Sequence, residues 1–328
     1  MGFFIKDRIY GDVEVTDSLL IELIQSKPLQ RLKQISQLGP PEGFYPIPWF
    51  SRYEHSLGVM ILLQKLGADL EEQIAGLLHD VSHVAFSHIA DWVFGHREKE
   101  DFQDQSHMAM MKNDILSEIL TRYHFDIERV LDLQKFPLLD RNAPDLCADR
   151  IDYALREFKM WAAPEIVDDC VKGLKVVERQ IVFTSQKTAR LFAEGYLKLH
   201  IDHWGSPEHV IRYELFAKAL SMALHEKIIR KEDFYGDELS IIEKLKKSSH
   251  PQILEILRLS SLKKIPFSWD EEHPQLRLKK KFRYTDPFYL ERGKLKRLSE
   301  EYSEWREKIL EARKVSDRGI LVSLNNNI

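Results

Sequence analysis

Gly76-Leu77-Leu78-His79-Asp80-Val81-Ser82-His83-Val84-Ala85-Phe86-Ser87-His88-Ile89-Ala90-Asp91 sets three histidines and two aspartates among apolar residues. Apolar surroundings make ionisable groups costly unless they are paired or bound to metal. Leu77, Leu78, Val81, Val84 and Phe86 mark a helical segment inside a core. His79 and Asp80 are neighbours, and an imidazole next to a carboxylate can grip one divalent cation. His83 follows one turn later and shares the face of His79. His88 stands nine residues beyond His79, which in an unbroken helix is roughly 180° round the axis. A site using both imidazoles needs a helix break, and Ser87 is placed to cap a second helix carrying His88 and Asp91. A lone histidine on an apolar face is ordinarily a core residue. Here five of the 13 histidines (His79, His83, His88, His96, His107) fall between positions 79 and 107, and that density points to a site.

The 328 residues are 44% hydrophobic and 30% charged, enough for one large domain or a domain with an appendage. The net charge of −4 gives no overall basic excess, so the whole chain does not read as a nucleic-acid binder, and only the local basic stretch 277–283 leaves nucleic acid open as a partner. Cys147 and Cys170 are the only cysteines, which leaves no disulfide framework or cysteine-type zinc site and suits a reducing cytosol. Residues 1–8 lack the apolar core of a signal peptide. No apolar run approaches the roughly 20 residues of a membrane span, and Gly2 lacks the serine or threonine of a myristoylation signal. The expectation is a cytoplasmic protein with no membrane partner.

Residues 3–15 alternate around Tyr10-Gly11-Asp12 and predict a hairpin. Thr16 and Asp17 cap a helix to Gln25. Pro28 starts a second helix presenting Leu29, Leu32, Ile35 and Leu38, stopped by Gly39-Pro40-Pro41. A loop over 44–50 precedes a helix carrying His55. A helix pair spans about 71–94, with a polar loop over 95–106 and a helix over 107–123. The amphipathic stretch 145–158 holds Asp149-Arg150-Ile151-Asp152-Tyr153. A β-ribbon at 171–185 leads to helices near 187–203, 207–229 and 238–247. Residues 276–284 alternate and are basic, and Lys279-Lys280-Lys281 is read as a solvated run. A charged helix over 294–314 carries Leu295, Leu298, Tyr302, Trp305 and Ile309 at spacings that dock it on its own domain, and 319–324 is a last strand. The pattern weakens over 230–275, which divides the chain into a core (1–229) and an extension (230–328).

His55, His79, Asp80 and Asp149 form a candidate ligand set. Two imidazoles and two carboxylates suit one borderline divalent ion such as Mn, Fe, Co, Ni or Zn, with Mg as a further candidate. The signal is the His-Asp pair with a histidine upstream and an aspartate downstream, each on its own helix. This arrangement resembles the HD-domain phosphohydrolase superfamily. Four further stretches are similar to its deoxynucleoside triphosphate triphosphohydrolase branch: Leu29-Gln30-Arg31-Leu32-Lys33-Gln34-Ile35-Ser36-Gln37-Leu38-Gly39, Arg52-Tyr53-Glu54-His55-Ser56-Leu57-Gly58-Val59, the His79 to His88 pattern, and Asp149-Arg150-Ile151-Asp152-Tyr153. A Lys281-Phe282-Arg283-Tyr284-Thr285-Asp286-Pro287 segment is similar to bacterial members. The resemblance covers roughly residues 5–225.

The resemblance implies a mainly α fold: an HD-domain helical core with small β-ribbons and an α+β C-terminal extension. It implies cleavage of a deoxynucleoside triphosphate at the α-phosphorus, giving nucleoside and inorganic triphosphate. His55, His79, Asp80 and Asp149 would hold the metal. His88 would be the catalytic imidazole, with Asp91 and His107 orienting and charging it, and His83 would contact phosphate. Arg52 and Arg150 would clamp phosphate oxygens. Gln37 would meet the sugar 3′-hydroxyl, Leu38 would join it among the substrate-binding residues, and Tyr153 would pack on the deoxyribose. Relatives assemble, so a homo-oligomer, dimer or higher, is expected.

One departure stands out. Where the family places basic residues towards the outer phosphates, residues 196–207 carry few, and Trp204-Gly205-Ser206-Pro207 looks inserted. Two alternatives therefore stay open. One is a phosphatase or phosphodiesterase acting on a monophosphate, cyclic nucleotide or alarmone, and the other is a non-catalytic nucleotide-sensing scaffold.

Overall fold

Phe3–Asp7 (β1) and Gly11–Val15 (β2) pair antiparallel as the alternation predicts. Asp17 caps Ser18–Gln25 (α1) by accepting the amides of Leu19 and Leu20. The next helix is shorter than expected. Lys27–Arg31 (α2) gives way to one tight turn, Leu32–Gln34, and the chain is extended at Ile35. Tertiary pairing takes over there: Arg52 N donates to Ile35 O at 2.9 Å and Gln37 N donates to Phe50 O at 3.1 Å. Leu29, Leu32 and Ile35 are fully buried all the same, so their apolar spacing reports burial rather than one continuous helix. The computed structural model describes residues 2–97 and 115–325.

Arg52–Lys65 (α3) starts at Ser51, whose hydroxyl accepts Glu54 N at 3.2 Å. It is buried round most of its circumference, as a central helix should be. Leu70–Leu78 (α4) and, later in the chain, Ala148–Glu157 pack against it. Gly58 marks the closest approach. A Cβ there would lie 1.9 Å from the Arg156 guanidinium and 2.1 Å from the Asp152 carboxylate.

The expected helix break is present. After α4 the chain runs through turns, and His88–Val93 (α5) begins afresh. Phe86 (φ 67°) and Ser87 (φ 48°) both lie in the left-handed region, a costly conformation for residues with a β-carbon. Ser87 occupies the cap position but makes no cap bond. Its hydroxyl accepts Arg52 Nε at 2.7 Å and donates to Ser36 O at 2.7 Å.

Ile115–Arg122 (α6), Ile127–Leu131 (α7), Ala148–Glu157 (α8) and Val167–Gly173 (α9) complete this part of the bundle. Leu174–Val177 (β3) and Gln180–Phe183 (β4) are the expected ribbon. Gln186–Leu199 (α10) ends in a wide helical turn, His200–Trp204, before Pro207–His225 (α11).

Glu238–Lys247 (α12) lies where its periodicity puts it, while Pro251–Ser260 (α13) is a helix inside the stretch of weak pattern. Phe267–Trp269 (β5) and Leu276–Leu278 (β6) follow. The basic alternating segment is a strand only over β6, and residues 279–287 run irregularly into the body of the protein. Phe288–Glu291 (β7) and Lys294–Arg297 (β8) form a second ribbon, so the charged helix begins later than expected, as Leu298–Glu301 (α14) and Ser303–Arg318 (α15). Its Trp305 and Ile309 are buried. Ile320–Leu324 (β9) sits between β5 and β6. A parallel contact, Phe183 with Tyr289, joins β4 to β7 in a four-stranded sheet that fuses the two parts of the chain. One apolar cluster also crosses residues 229/230, packing Phe86 and Ile89 with Phe216, Ile241 and Leu245.

Candidate active site

Three helix ends bring the candidate ligands together. His55 comes from the first turn of α3, His79 and Asp80 from the end of α4, and Asp149 from the first turn of α8. Ligand atoms of His55, His79 and Asp80 lie within 4.8 Å of one another, and all three residues are buried. Asp149 Oδ1 is 3.0 Å from His55 Nε2 and 3.7 Å from His79 Nε2.

The ring orientations are fixed from behind. His55 Nδ1 donates to Asp152 Oδ2 at 2.8 Å, and His79 Nδ1 donates to Gly76 O at 2.7 Å. Each neutral ring then carries its lone pair on Nε2, the atom facing the cluster. Burial alone would lower the His55 pKa, but hydrogen bonds to Asp149 and Asp152 and the charges of Asp152 and Asp80 raise it to about 9. His79 moves the same way: burial opposes, and Asp80 and Asp149 prevail. Arg52 on Asp80 and Arg156 on Asp152 answer part of the negative charge of the three carboxylates around the two imidazoles, and a divalent cation would answer the rest. The donor set fits one.

Asp80 is buried, which would raise its pKa. The charges of Arg52, His79 and His83 instead hold it well below the usual carboxylate range. Arg52 Nη1 donates to Asp80 Oδ2 at 2.5 Å. Arg52 Nη2 is buried beside the cavity with no hydrogen-bond partner among the described residues. His83 Nε2 lies 3.3 Å from Asp80 Oδ1. Burial and the Arg52 charge push the His83 pKa well down, so it faces the cavity as a neutral imidazole.

His88 stands outside the ligand cluster. Its Nδ1 bonds Asp91 Oδ2 at 2.9 Å, and its side chain is 29% exposed at the junction of two cavities. One, of about 220 Å³, is lined by Arg52, His79, Asp80, His83 and Asp149. The other, about 80 Å³, is more aromatic and is lined by Leu38, Glu157, His203, Trp204, His209 and Tyr213. Gln37, His88, Tyr153 and Arg283 line both. Gln37 Oε1 is buried without a hydrogen-bond partner among the described residues. The Tyr153 hydroxyl is paired with that of Tyr196, so Tyr153 offers the cavity its ring. His107 lies outside the described residues.

The structure does not bring the Arg150 side chain to either cavity. Its Nη1 donates to Asp145 O at 2.5 Å and its Nη2 to Arg141 O at 3.1 Å. Lys281 and Arg283 line the larger cavity together with Arg52. The sequence held their signal in the Lys281 to Pro287 segment, but a lysine run has no visible destination before the chain is folded. Asp152, behind His55, was likewise legible only as part of a motif. Arg31 has a supporting part: its Nη2 donates to Val81 O and His83 O, at 2.9 and 2.7 Å.

The HD domain family matches residues 52–154, which contain all four candidate ligands. The chain is 37% identical over 287 residues to the uncharacterized protein YdhJ of Bacillus subtilis, covering 86% of this chain and 87% of that one. It is 34% identical over 222 residues to the metal-dependent phosphohydrolase cns2 of Cordyceps militaris, covering 65% of this chain and 64% of the fungal protein. A shorter match, 40% over 107 residues, is to the deoxynucleoside triphosphate triphosphohydrolase SAMHD1 of Bos taurus, covering 27% of this chain and 18% of that protein. With its HD motif on three converging helices and relatives of this kind, the chain belongs to the HD-domain phosphohydrolase superfamily.

Proposed function

We propose that the protein hydrolyses deoxynucleoside triphosphates to nucleoside and inorganic triphosphate. The observation that carries this reading is the double cavity: Arg52, Lys281 and Arg283 line the polar part with the ligand cluster, and the aromatic part opens beside Gln37, Leu38 and Tyr153. A phosphate chain fits the first environment and a nucleoside the second. The short SAMHD1 match points to the same substrate class.

His55, His79, Asp80 and Asp149 would hold one divalent ion, which supplies Lewis-acid polarisation of a phosphoryl oxygen when bound. His88, with Nδ1 tied to Asp91, keeps Nε2 directed to the junction of the cavities, where it can give a proton to the leaving 5′-oxygen. Arg52 Nη2 and the Lys281 and Arg283 side chains offset charge on non-bridging oxygens. His83, neutral and close to Asp80, can share a proton with phosphate. Gln37 and Leu38 lie where a sugar would pass, and Tyr153 gives it a ring to pack on. The 230–328 extension, in this reading, belongs to the catalytic unit, because it brings Lys281 and Arg283 to a site built by the 1–229 core.

Purified protein incubated with Mn²⁺ and a panel of deoxynucleoside triphosphates, ribonucleoside triphosphates and monophosphates tests this, with products separated by chromatography. Inorganic triphosphate released from deoxynucleotides is the expected result. Orthophosphate released from monophosphates alone would replace the reading with a phosphatase, the alternative favoured by Arg150 facing away from the cavity.

The proposal includes a cytoplasmic homo-oligomer. No helix among the described residues is long and apolar enough to cross a membrane. Ile201, Trp269, Leu310 and Val315 are more than half exposed, more apolar surface than a solitary chain needs to show. Light scattering that finds only the 38.6 kDa monomer at micromolar concentration would remove the oligomer from it.

A further inference from the structure

Glu238 opens α12 in the extension and is 2% exposed. Its Oε1 accepts two backbone amides from segments far away in sequence, Ser36 N at 2.9 Å and Phe86 N at 3.1 Å. Ser36 immediately precedes Gln37. Phe86 is the first of the two left-handed residues that end at His88. The same pair of segments is tied by the Ser87 hydroxyl on Ser36 O, and Ala85 N donates to Phe234 O at 2.8 Å.

Nothing in α12 itself asks for an acid at this position. Asp237 already caps the helix, accepting Ser240 N at 2.8 Å. The neighbours facing inward are apolar: Ile241, Ile242 and Leu245. A carboxyl group in such a cluster is costly unless its hydrogen bonds are made, and the bonds it makes go to the two segments that carry Gln37 and His88. We propose that Glu238 is a positioning residue, whose single carboxyl oxygen sets the spacing of the Ser36–Gln37 segment and the Phe86–Ser87 turn and so keeps His88 and Gln37 at the shared wall of the two cavities. The inference rests on the reading of those two side chains as substrate-facing. It assigns Glu238 no contact with substrate.

Three variants of the full chain test it. Glu238→Gln keeps a carbonyl oxygen where Oε1 lies. Glu238→Met keeps the volume without a matching acceptor, and Glu238→Ala removes both. Hydrogen exchange read by mass spectrometry on Mn²⁺-loaded protein follows peptides covering 34–38 and 83–90. Glu238→Ala and Glu238→Met should exchange faster in those two peptides alone, with metal content unchanged. Their kcat should fall by about 10–100-fold, the scale of an ångström misplacement, on whichever nucleotide the wild type hydrolyses, with KM moving less. Glu238→Gln should restore both readouts to within about threefold of wild type, since the acceptor geometry returns.

Should Glu238→Ala not fold, Glu238→Met carries the comparison. Wild-type exchange and kcat in Glu238→Met would overturn the proposal, as would a Glu238→Gln protein no better than Glu238→Met. If the wild type hydrolyses none of the panel, the substrate assignment fails by itself. The exchange measurement then decides on its own: selective loss of protection at 34–38 and 83–90 sustains the positioning role, and unchanged protection ends it.

Discussion

The two sides of the larger cavity are held in different ways. On the side built by residues 79–91, the polar groups are cross-bonded. Asp80 is gripped by Arg52, His88 leans on Asp91, and the backbone between them is tied by Arg31, Ser87 and Glu238. On the other side, Lys281 and Arg283 arrive on a segment with no regular structure. Aromatic contacts hold that segment: Phe282 meets the His200 ring edge-on at 4.9 Å and stacks on Tyr284 at 5.5 Å, and the Arg313 guanidinium lies 4.8 Å from the Phe282 ring. The first side suits one small ion at fixed positions. The second supplies charge on long, adjustable side chains. Substitutions on the first side should act on metal and turnover, and those on the second on substrate affinity.

The largest effect expected is at the cluster. His79→Ala or Asp80→Ala should lose the bound metal, about one equivalent in the wild type, and all measurable hydrolysis with it. Elemental analysis checks this, and full occupancy in Asp80→Ala would take Asp80 out of the ligand set. Next comes His88→Ala. It should keep metal and fold while turnover falls by roughly 10²–10⁴-fold, the range for a general acid. A His88→Ala protein with wild-type turnover would move proton transfer to His107 or to His83, whose ring centroid is 5.3 Å from that of His88.

The same contrast explains what the sequence could reveal. The convergence of His79, Asp80, His83 and His88 on one cavity was legible because their placement is fixed by close neighbours: spacing along a helix, and a turn where the helix must break. The hairpin, α1, α3 and α12 were legible for the same reason. Leu32 and Ile35 misled, since burial in an extended segment gives them the same apolar character as a helix face. The direction of Arg150 was not legible, because its motif places the residue and leaves its guanidinium free to turn to the carbonyls of Arg141 and Asp145. Lys281 and Arg283 were legible only as part of a motif segment, and Glu238 gave no usable sign. A lysine run and a helix-first glutamate have ordinary surface readings. Only the packing of the extension on the core buries Glu238 and sets Arg283 and the still exposed Lys281 at the cavity wall.

On the adjustable side the effect should be smaller and of another kind. Arg283→Ala and Lys281→Ala should each raise KM for a triphosphate by roughly 10–100-fold, the scale of one lost charge-assisted hydrogen bond, with little change in metal content. Arg150→Ala should leave KM near wild type and lower thermal stability instead, because its bonds are internal. Steady-state kinetics on the three variants, with a melting curve for each, separates the cases. An Arg150→Ala protein whose KM rises as far as that of Arg283→Ala would restore Arg150 to the phosphate contacts.

The last effect expected is read on folding and not on activity: a slope of stability with pH, set behind the 79–91 side of the cavity. Burial raises the Glu238 carboxyl from its ordinary 4.5 to about 8; the amides of Ser36 and Phe86 and the charge of Arg52 oppose that rise only in part. The folded protein therefore holds a proton at neutral pH that the unfolded chain has released. For a raised carboxyl the sign is unfavourable: stability is unaffected below about pH 4.5, falls as pH rises towards 8, and levels off beyond. The limiting slope from this one group is about 1.4 kcal/mol per pH unit. Glu238→Gln cannot ionise and keeps the acceptor oxygen, so it should remove that slope and become more stable than wild type as pH approaches 8. Urea midpoints at pH 5, 6, 7 and 8 for both proteins measure it. Parallel curves would mean that Glu238 is already ionised at pH 5. The carboxylate would then hold the His88 turn as a charge rather than as a neutral acceptor, and the adjoining Arg52 would have to be its partner.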